Sequence, residues 1–488
     1  MSRRELLVLL CAFALSVAVR WPLLNRPLSA HHEYCTAFTL IALSNWYDDG
    51  FAAHHGVPSG GWVKEGASLY PADTFDRNER AVGVYYFSHP PLAYDIPYAV
   101  FRLLGVAPNV VGLQAINVFF QLIAIGALFF AVRWGWPQAP SFAALFASVL
   151  YCFLPATLWF HGNAYMSDLF VQVPWLLHAA AAVRMFRSPS YVARRDLFYF
   201  GLTLFLTVYT SWLGVFAGAA AIVFVGLRWW RDRRAPLASV ILVVFLAVGS
   251  ALAITAWRYL QVIDAGALWA QMASRFAARG SFDPSAGITV HLRQLIENYR
   301  IGFLPVLLLL AGLLFHRSIV RKERLRIPVD GSAFLVLTGL PVVFDHAFLL
   351  QYADHDFAAL KAAPFLCGCA GVWLSRVPFR AAAIALSATC LAGVLYFYRL
   401  NPLPGKDRGR YTQEMELGHF IAENASPDEV VFAIGLSTEP QVAWYARRNV
   451  IGIGAIEDAR QFLVEHEAER GVVFRKQGDS TSVEHIMR

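Results

Sequence analysis

Apolar runs of about 20 residues recur along most of this sequence, and they constrain the fold more than any other feature. A run of this length can cross the hydrocarbon core of a bilayer as a helix. Of the 488 residues, 57% are hydrophobic and 15% are charged, whereas soluble chains average about 25% charged residues. We therefore predict an α-helical polytopic membrane protein. Its net charge of +7 indicates membrane topology and not a nucleic-acid partner.

The apolar runs predict about eleven membrane spans. They lie at 5–24, 110–132, 141–160, 166–187, 197–212, 214–228, 236–260, 299–316, 331–350, 356–375 and 380–398. Arginine is frequent in the short loops predicted to be inside, whereas the short outer loops at 161–167, 210–214 and 351–355 hold no Lys or Arg. This positive-inside pattern predicts a multi-pass protein of the cell inner (plasma) membrane, with a cytoplasmic N-terminus and an outer C-terminal segment. The first run also resembles a signal peptide, but it lacks a clean cleavage site and we interpret it as an uncleaved span.

Two domains are predicted. Residues 1–400 form the transmembrane part, with a first outer loop at 25–109 and a second at 261–298. In the first loop, 34–49 and 92–105 are predicted to be interfacial helices, and 51–83 is predicted to be irregular. Residues 401–488 are predicted to form a small outer α/β domain with a parallel βαβαβ unit. Its predicted strands are 429–435, 449–454 and 471–475, and its predicted helices are 440–448 and 457–470.

Residues that can carry chemistry gather at the outer ends of the spans. His31, His32 and Glu33 follow the first span, where Glu33 or His32 can take a proton from a hydroxyl group. A solvated helix cap is the structural alternative. Asp168 begins the fourth span, and a carboxylate at the edge of hydrocarbon costs free energy unless it is used or satisfied. A charge that interacts with a helix N-terminus is the alternative there.

A second group of candidates flanks the late spans. Lys361 lies deep enough in the tenth span to need an anionic partner, unless its stem extends to the surface. Arg293 and Arg300 precede the eighth span and can bind a phosphate or serve as positive anchors of a helix end. Asp354, His355 and Asp356 are also candidates for a divalent cation, although adjacent acidic residues are common at helix entrances. The coincidence of these groups on one membrane face predicts a site for an amphiphilic anion.

Several short motifs resemble those of the GT-C glycosyltransferases, specifically of the protein mannosyltransferase / aminoarabinose transferase-like branch. His32-Glu33-Tyr34 is similar to the Asp-Glu pair and Tyr of that branch, and His89-Pro90-Pro91-Leu92 is similar to its Lys-Pro-Pro-Leu motif. The latter runs into an apolar helix ending at Leu103-Leu104-Gly105. Asp168 resembles the family's Asp at the start of a middle span, and His355-Asp356-Phe357 resembles its His-x-Tyr motif.

The resemblance implies transfer of a sugar from a polyprenyl-phosphate-linked donor lipid to an acceptor at the outer face. A carboxylate of the first loop would act as base, and cationic residues would hold the lipid phosphate. Here His32 stands in place of the first acidic residue of the family, so the base role passes to Glu33 or His32, or is lost. We favour Glu33 as base with Asp168 in support. The resulting candidates for substrate and phosphate binding are His89, Tyr34, Arg300, Lys361 and His355.

Other functional classes fit the sequence less well. A transporter is disfavoured because we find no internal repeat, and the polar residues cluster at one face instead of the midplane. A flippase or a non-catalytic protein that binds lipid-linked sugars would carry a similar head-group site. The first loop lacks the Asp-x-Asp of metal-dependent oligosaccharyl transferases, so we expect no cofactor and no bound metal, with a divalent metal as the alternative. The acceptor, whether protein, lipid or glycan, stays open.

Overall fold

The structure, a computed structural model, describes residues 1–63, 85–187, 193–232, 237–280, 287–316, 329–404, 411–478 and 480–488. Within these ranges, nine helical segments are long and apolar enough to cross a membrane. The prediction of a polytopic α-helical protein is therefore confirmed. Most of the stretch predicted to be irregular, at 51–83, lies outside the described residues.

The described helices of the transmembrane part follow the predicted apolar runs. They are α1 (Arg3–Arg20), α2 (Glu33–Asp48), α3 (Leu92–Leu104), α4 (Val110–Gly135), α5 (Phe142–Phe153), α6 (Pro155–Phe160), α7 (Ser167–Phe170), α8 (Gln172–Phe186), α9 (Arg194–Val208), α10 (Leu213–Asp232), α11 (Leu237–Tyr259), α12 (Ala265–Arg279), α13 (Ile288–Phe315), α14 (Val329–Phe348), α15 (Ala363–Leu374) and α16 (Phe379–Arg399). Two 3-10 segments, Leu350–Asp354 and Asp356–Ala362, connect α14 to α15.

Two predicted spans correspond to short helices. The run at 141–160 divides into α5 and α6, because Leu154 before Pro155 is extended, as the proline ring requires of the residue that precedes it. α5 has 12 residues, and α9, in place of the predicted span at 197–212, has 15. A helix needs about 20 residues to cross the hydrocarbon core at 1.5 Å per residue. Neither short helix is among the nine long segments of the described chain.

The small C-terminal domain contains a four-stranded sheet. Its elements are α17 (Gln413–Asn424), β1 (Val430–Ile434), α18 (Pro440–Ala446), β2 (Ile451–Gly452), α19 (Ile456–Glu465), β3 (Arg470–Gln477) and β4 (Ser480–Met487). The strand order is β2-β1-β3-β4, and β1 is parallel to both of its neighbours, which confirms the predicted parallel unit. The antiparallel edge strand β4 and the helix α17 were not predicted. β4 is half exposed and mixes polar with apolar residues, so its apolar pattern is weak.

The helix α2 differs from the prediction of a helix lying on the membrane surface. It is buried on all sides, and Asp48 is its only exposed residue. A helix whose whole circumference is apolar or small is typical of a packed interior, not of an interface. α3 and α4 contact it from the transmembrane part and α18 contacts it from the C-terminal domain. The first loop thus forms part of the core of the protein.

The C-terminal domain is joined to the first loop through Trp62. The Trp62 indole stacks on Trp444 with 5.9 Å between ring centroids and donates a hydrogen bond to the Ala443 carbonyl at 2.8 Å. Asn449 accepts from the Trp62 backbone N–H at 2.8 Å and donates to its carbonyl at 2.9 Å. The Asn449 side chain of the C-terminal domain thus satisfies both backbone polar groups of Trp62 in the first loop.

Candidate functional site

A cavity of about 350 Å³ lies between α2, α12 and the 3-10 segment that follows α14. Aromatic side chains form much of its wall, including Tyr34 and Tyr352. Asp168 contributes a buried carboxylate, and Arg275 and Arg279 contribute two guanidinium groups. A concave site with a largely apolar wall and a few convergent charged groups is typical of ligand binding.

Lys361 joins two buried carboxylates next to this cavity. Its Nζ lies 2.9 Å and 3.0 Å from the two carboxylate oxygens of Asp345 and 3.3 Å from Asp168 Oδ1. All three side chains are at most 3% exposed. Buried charges cost several kcal/mol each unless they are paired, so the ammonium stabilises both carboxylates and they stabilise the ammonium. Within the protein, the anionic partners of Lys361 are these two carboxylates, and its predicted role at a phosphate stays a prediction.

Some hydrogen-bond acceptor positions of the Asp168 carboxylate are not used by the described part of the protein. Lys361 lies at its Oδ1, and the Tyr352 hydroxyl donates to its Oδ2 at 2.8 Å. An ionised carboxylate has about four acceptor positions, so about two are left at a residue that lines the cavity. His89 Nε2 lies 3.7 Å from the same Oδ2. Burial lowers the pKa of His89 to about 4, so its imidazole is neutral near pH 7 and lacks the charge of the family lysine.

Arg275 and Arg279 supply the positive charge of the cavity. They are one helical turn apart on α12 and therefore lie on the same face of that helix. The Arg279 guanidinium lies 4.9 Å from the centre of the Tyr352 ring. Burial lowers the pKa of Arg279, but the Tyr352 and Tyr86 hydroxyls and Asp168 outweigh burial and raise it. Two charged guanidinium groups at an aromatic wall suit a phosphate ligand.

Glu33 is fully buried, and it is not one of the described residues that line the cavity. Arg26 binds it through both guanidinium nitrogens, at 2.7 Å and 3.0 Å. The backbone N–H groups of Ser29 and Ala30 donate to Oε2 at 2.9 Å and 2.8 Å, and Asn163 donates to Oε1 at 3.3 Å. Burial raises the pKa of Glu33, while Arg26 and the two N–H groups act in the opposite direction. Five donors fill the carboxylate, so the structure gives Glu33 the surroundings of a structural residue.

The Asp354-His355-Asp356 segment divides between two environments. Asp354 and His355 line the cavity, and Asp354 also contacts His291 on α13 at 3.2 Å. Burial, with His32 and Arg279 nearby, lowers the pKa of His355 to about 4. Asp356 turns away from both and contacts His31 and His32 of the first loop. These three neighbours in sequence therefore do not form one metal site.

The remaining candidates lie in different places. Tyr34 lines the cavity, and burial raises the pKa of its hydroxyl; its contact with substrate stays a prediction. Arg300 is half exposed on α13, where it is ion-paired with Glu297 and contacts Tyr396. The structure brings Asp168, His89, Tyr34 and His355 together at the cavity wall and places Arg300 elsewhere.

Four cavity or network residues were not among the predicted site residues: Arg275, Arg279, Tyr352 and Asp345. Two signals were present in the sequence. An Arg pair at i, i+4 on an amphipathic outer helix indicates a common charged face. Asp345 is a carboxylate inside an apolar span, which by itself indicates a buried partner.

Comparisons with known proteins identify the fold. No family model matches the chain, and no curated protein matches its sequence. The crystal structure of ArnT from Cupriavidus metallidurans bound to undecaprenyl phosphate aligns over 96% of this chain and 92% of its own, with a TM-score of 0.60 and 13% identity. The archaeal oligosaccharyltransferase AglB from Archaeoglobus fulgidus, in complex with an inhibitory peptide and a dolichol-phosphate, aligns over 97% and 69%, with a TM-score of 0.60 and 13% identity. This chain therefore has the fold of ArnT and AglB, as the resemblance implied.

Proposed function

We propose that this protein is a membrane glycosyltransferase that transfers a sugar from a polyprenyl-phosphate-linked donor to an acceptor at the outer face of the membrane. One observation carries the proposal: Asp168, Arg275 and Arg279 line the same cavity. The Asp168 carboxylate has free hydrogen-bond acceptor positions there, and the two arginines supply positive charge. Transfer between a phosphate ester and a hydroxyl needs a proton acceptor and a cationic site for the leaving group.

The lipid-linked part of the donor is assigned from the neighbours. ArnT is bound to undecaprenyl phosphate and AglB to a dolichol-phosphate in their structures. Both ligands combine a phosphate with a long apolar chain. The cavity here places two arginines beside an apolar and aromatic wall, which matches that combination.

The proposed chemistry assigns one role to each charged group. The acceptor hydroxyl oxygen attacks the anomeric carbon of the sugar, and Asp168 takes the proton of that hydroxyl. The bond between the anomeric carbon and the phosphate oxygen breaks, and the electron pair leaves with the polyprenyl phosphate. Arg275 and Arg279 stabilise the negative charge that develops on the phosphate. Lys361 and Tyr352 hold the Asp168 carboxylate in place.

This assignment moves the base from Glu33 to Asp168. Glu33 has five donors for about four acceptor positions, whereas Asp168 has two contacts and lines the cavity. His89 is placed beside Asp168, where its neutral ring can orient the acceptor hydroxyl. Tyr34 and His355 complete the wall around the sugar.

Transfer of radiolabelled sugar from polyprenyl-phosphate donors into a membrane extract tests the proposal. We expect turnover by the wild type and a loss of about 10²-fold or more in Asp168→Asn, the range of general acid–base catalysis. Asp95→Asn is the matched control, because Asp95 is also paired with a cation, Arg258 at 2.6 Å, and is only 21% exposed, but does not line the cavity. Activity is expressed per folded molecule. Donor binding by the wild type without turnover, for every donor tried, would instead indicate a lipid-binding protein or a flippase.

A further inference from the structure

His31, His32 and Asp356 form a cluster outside the cavity, and they come from distant parts of the chain. The two histidines directly precede α2, and Asp356 opens the 3-10 segment before α15. His31 Nε2 lies 2.7 Å from Asp356 Oδ2, and His32 Nε2 lies 2.9 Å from Asp356 Oδ1. One nitrogen or oxygen atom of each residue lies within 4.8 Å of the other two.

Hydrogen bonding accounts for only half of this cluster. Asp356 Oδ1 is buried and accepts no hydrogen bond from any described residue, although His32 Nε2 is so close. The two atoms approach without the alignment of a donor and an acceptor. A buried oxygen without a hydrogen bond has lost its contact with water and gained nothing in return. An ion between the two atoms would satisfy both lone pairs.

The surroundings of His32 match those of a metal ligand. Its second ring nitrogen, Nδ1, lies 3.2 Å from the Tyr34 hydroxyl, and its ring packs against Phe357 with 4.9 Å between centroids. A metal-bound imidazole is usually held by such an outer partner at its other nitrogen, which fixes the ring and its tautomer. His31 is 42% exposed, so an ion can enter from the solvent side.

We propose that His31, His32 and Asp356 bind a divalent transition-metal ion, with Zn²⁺ as the ion that this ligand set fits best. Two imidazole nitrogens and one carboxylate oxygen form a known type of three-ligand zinc site that leaves the fourth position open. Neighbouring ligands of tetrahedral zinc are about 3.3 Å apart at bond lengths of about 2.0 Å. The present nitrogen–oxygen separations need only small movements to reach that spacing. Mg²⁺ and Ca²⁺ prefer oxygen ligands and fit less well.

The ion would join the first loop to the segment between α14 and α15. The two parts are 325 positions apart in sequence at the His31–Asp356 contact, so the bound ion would be a long-range cross-link. The expectation of no metal relied on the missing Asp-x-Asp, and the candidate cation site that the sequence offered was the contiguous Asp354-His355-Asp356. It could not show that Asp356 meets two histidines of the first loop. The site does not rest on the proposed transferase function, because none of its three residues lines the described cavity.

Metal content of the full chain tests this inference. The protein, purified in detergent through a tag without histidine, is stripped with EDTA, incubated with Zn²⁺ and freed of excess ion. We expect one zinc per chain by inductively coupled plasma mass spectrometry, and X-ray absorption should show two imidazole ligands. His32→Ala and Asp356→Asn should each weaken zinc binding at least tenfold. His291→Ala is the matched control, since it removes another His–Asp contact, to Asp354, and should keep the zinc.

A measurement on the wild type covers the case in which a variant does not fold. Zn²⁺ should raise the thermal unfolding temperature of the stripped wild type, and the same concentration of Mg²⁺ should not. A wild type that retains no zinc, or an Asp356→Asn variant that binds zinc like the wild type, would overturn the proposal. Because the readouts are metal content and unfolding temperature, they are separate from whether the chain transfers a sugar.

Discussion

Two buried carboxylates, Glu33 and Asp168, differ in how much of their hydrogen-bonding capacity the protein itself uses. Both are at most 2% exposed, and both pair with a cation. Glu33 is closed by Arg26, two backbone N–H groups and an amide, whereas Asp168 has two contacts and lines a cavity. Burial and a charged partner are common to both carboxylates and do not distinguish them. Our proposal that Asp168 is the base rests on its unfilled acceptor positions and its place at the cavity wall.

The comparison of Glu33→Gln with Asp168→Asn is the most direct test of this difference between the two carboxylates. We expect Asp168→Asn to lower kcat by about 10²-fold or more, and Glu33→Gln to change kcat per folded molecule by only a few-fold. Glu33→Gln should instead lower the free energy of unfolding by about 3 kcal/mol, because it leaves Arg26 without its buried partner. Thermal unfolding in detergent and transfer assays measure the two effects. A large loss of kcat in Glu33→Gln at unchanged stability would return the base role to Glu33.

Arg279→Gln compared with Arg300→Gln separates a cavity cation from a surface cation. A hydrogen bond to a charged group contributes about 1.5–3 kcal/mol, so Arg279→Gln should raise the KM for the lipid donor about tenfold or more. Arg300→Gln should change KM by less than about twofold, because Arg300 is half exposed and exposed ion pairs contribute little. Steady-state kinetics with a polyprenyl-phosphate donor measure both values. Equal effects would remove the distinction between the two arginines.

The pH dependence of stability tests the surroundings of His89. Burial lowers the pKa of His89 to about 4, although Asp168 acts against burial and Arg279, Lys361 and Arg275 act with it. In the unfolded chain the pKa of His is about 6.5, so between about pH 6.5 and 4 the unfolded state binds more protons. Acidification through this window should therefore destabilise the fold, with a contribution from His89 of up to about 3 kcal/mol.

The measurement is the unfolding temperature at pH 7 and pH 4.5 for the wild type and for His89→Gln. The substitution should reduce the loss of stability on acidification, because glutamine does not titrate. Other buried histidines contribute to the wild-type slope as well, so the difference between the two proteins is the relevant quantity. Identical slopes would mean that His89 is more accessible to protons than its burial indicates.

The transmembrane helices were predictable because their apolar length is a local property of the sequence. Every predicted span contains a described helix, and the parallel strands of the C-terminal domain were found from their β-branched runs. The environment of α2 was not predictable, since the partners that bury it, α3, α4 and α18, are far away in sequence. The start of α13 at Ile288, eleven positions before the predicted 299, was missed because polar and charged residues interrupt the apolar residues of its first turns.

The site was predictable only in part for the same physical reason. Asp168 stood out because a carboxylate at the edge of hydrocarbon needs a partner, and the structure supplies Lys361. Which carboxylate faces a cavity depends on side-chain direction and on contacts between distant segments. Of the donors around Glu33, the amide of Asn163 comes from 130 positions away, and no local pattern indicates it.

The contact between Trp62 and Asn449 has a consequence for biosynthesis. The two residues are 387 positions apart, so their hydrogen bonds cannot form until nearly the whole chain has left the ribosome. Until then the indole of Trp62, which is 6% exposed in the finished protein, has no Trp444 to cover it. The contact between the first loop and the C-terminal domain is therefore a late, long-range step in folding. It forms only after the C-terminal domain has been synthesised. A nascent chain stopped before residue 440 would display an uncovered tryptophan to the quality-control machinery of the membrane.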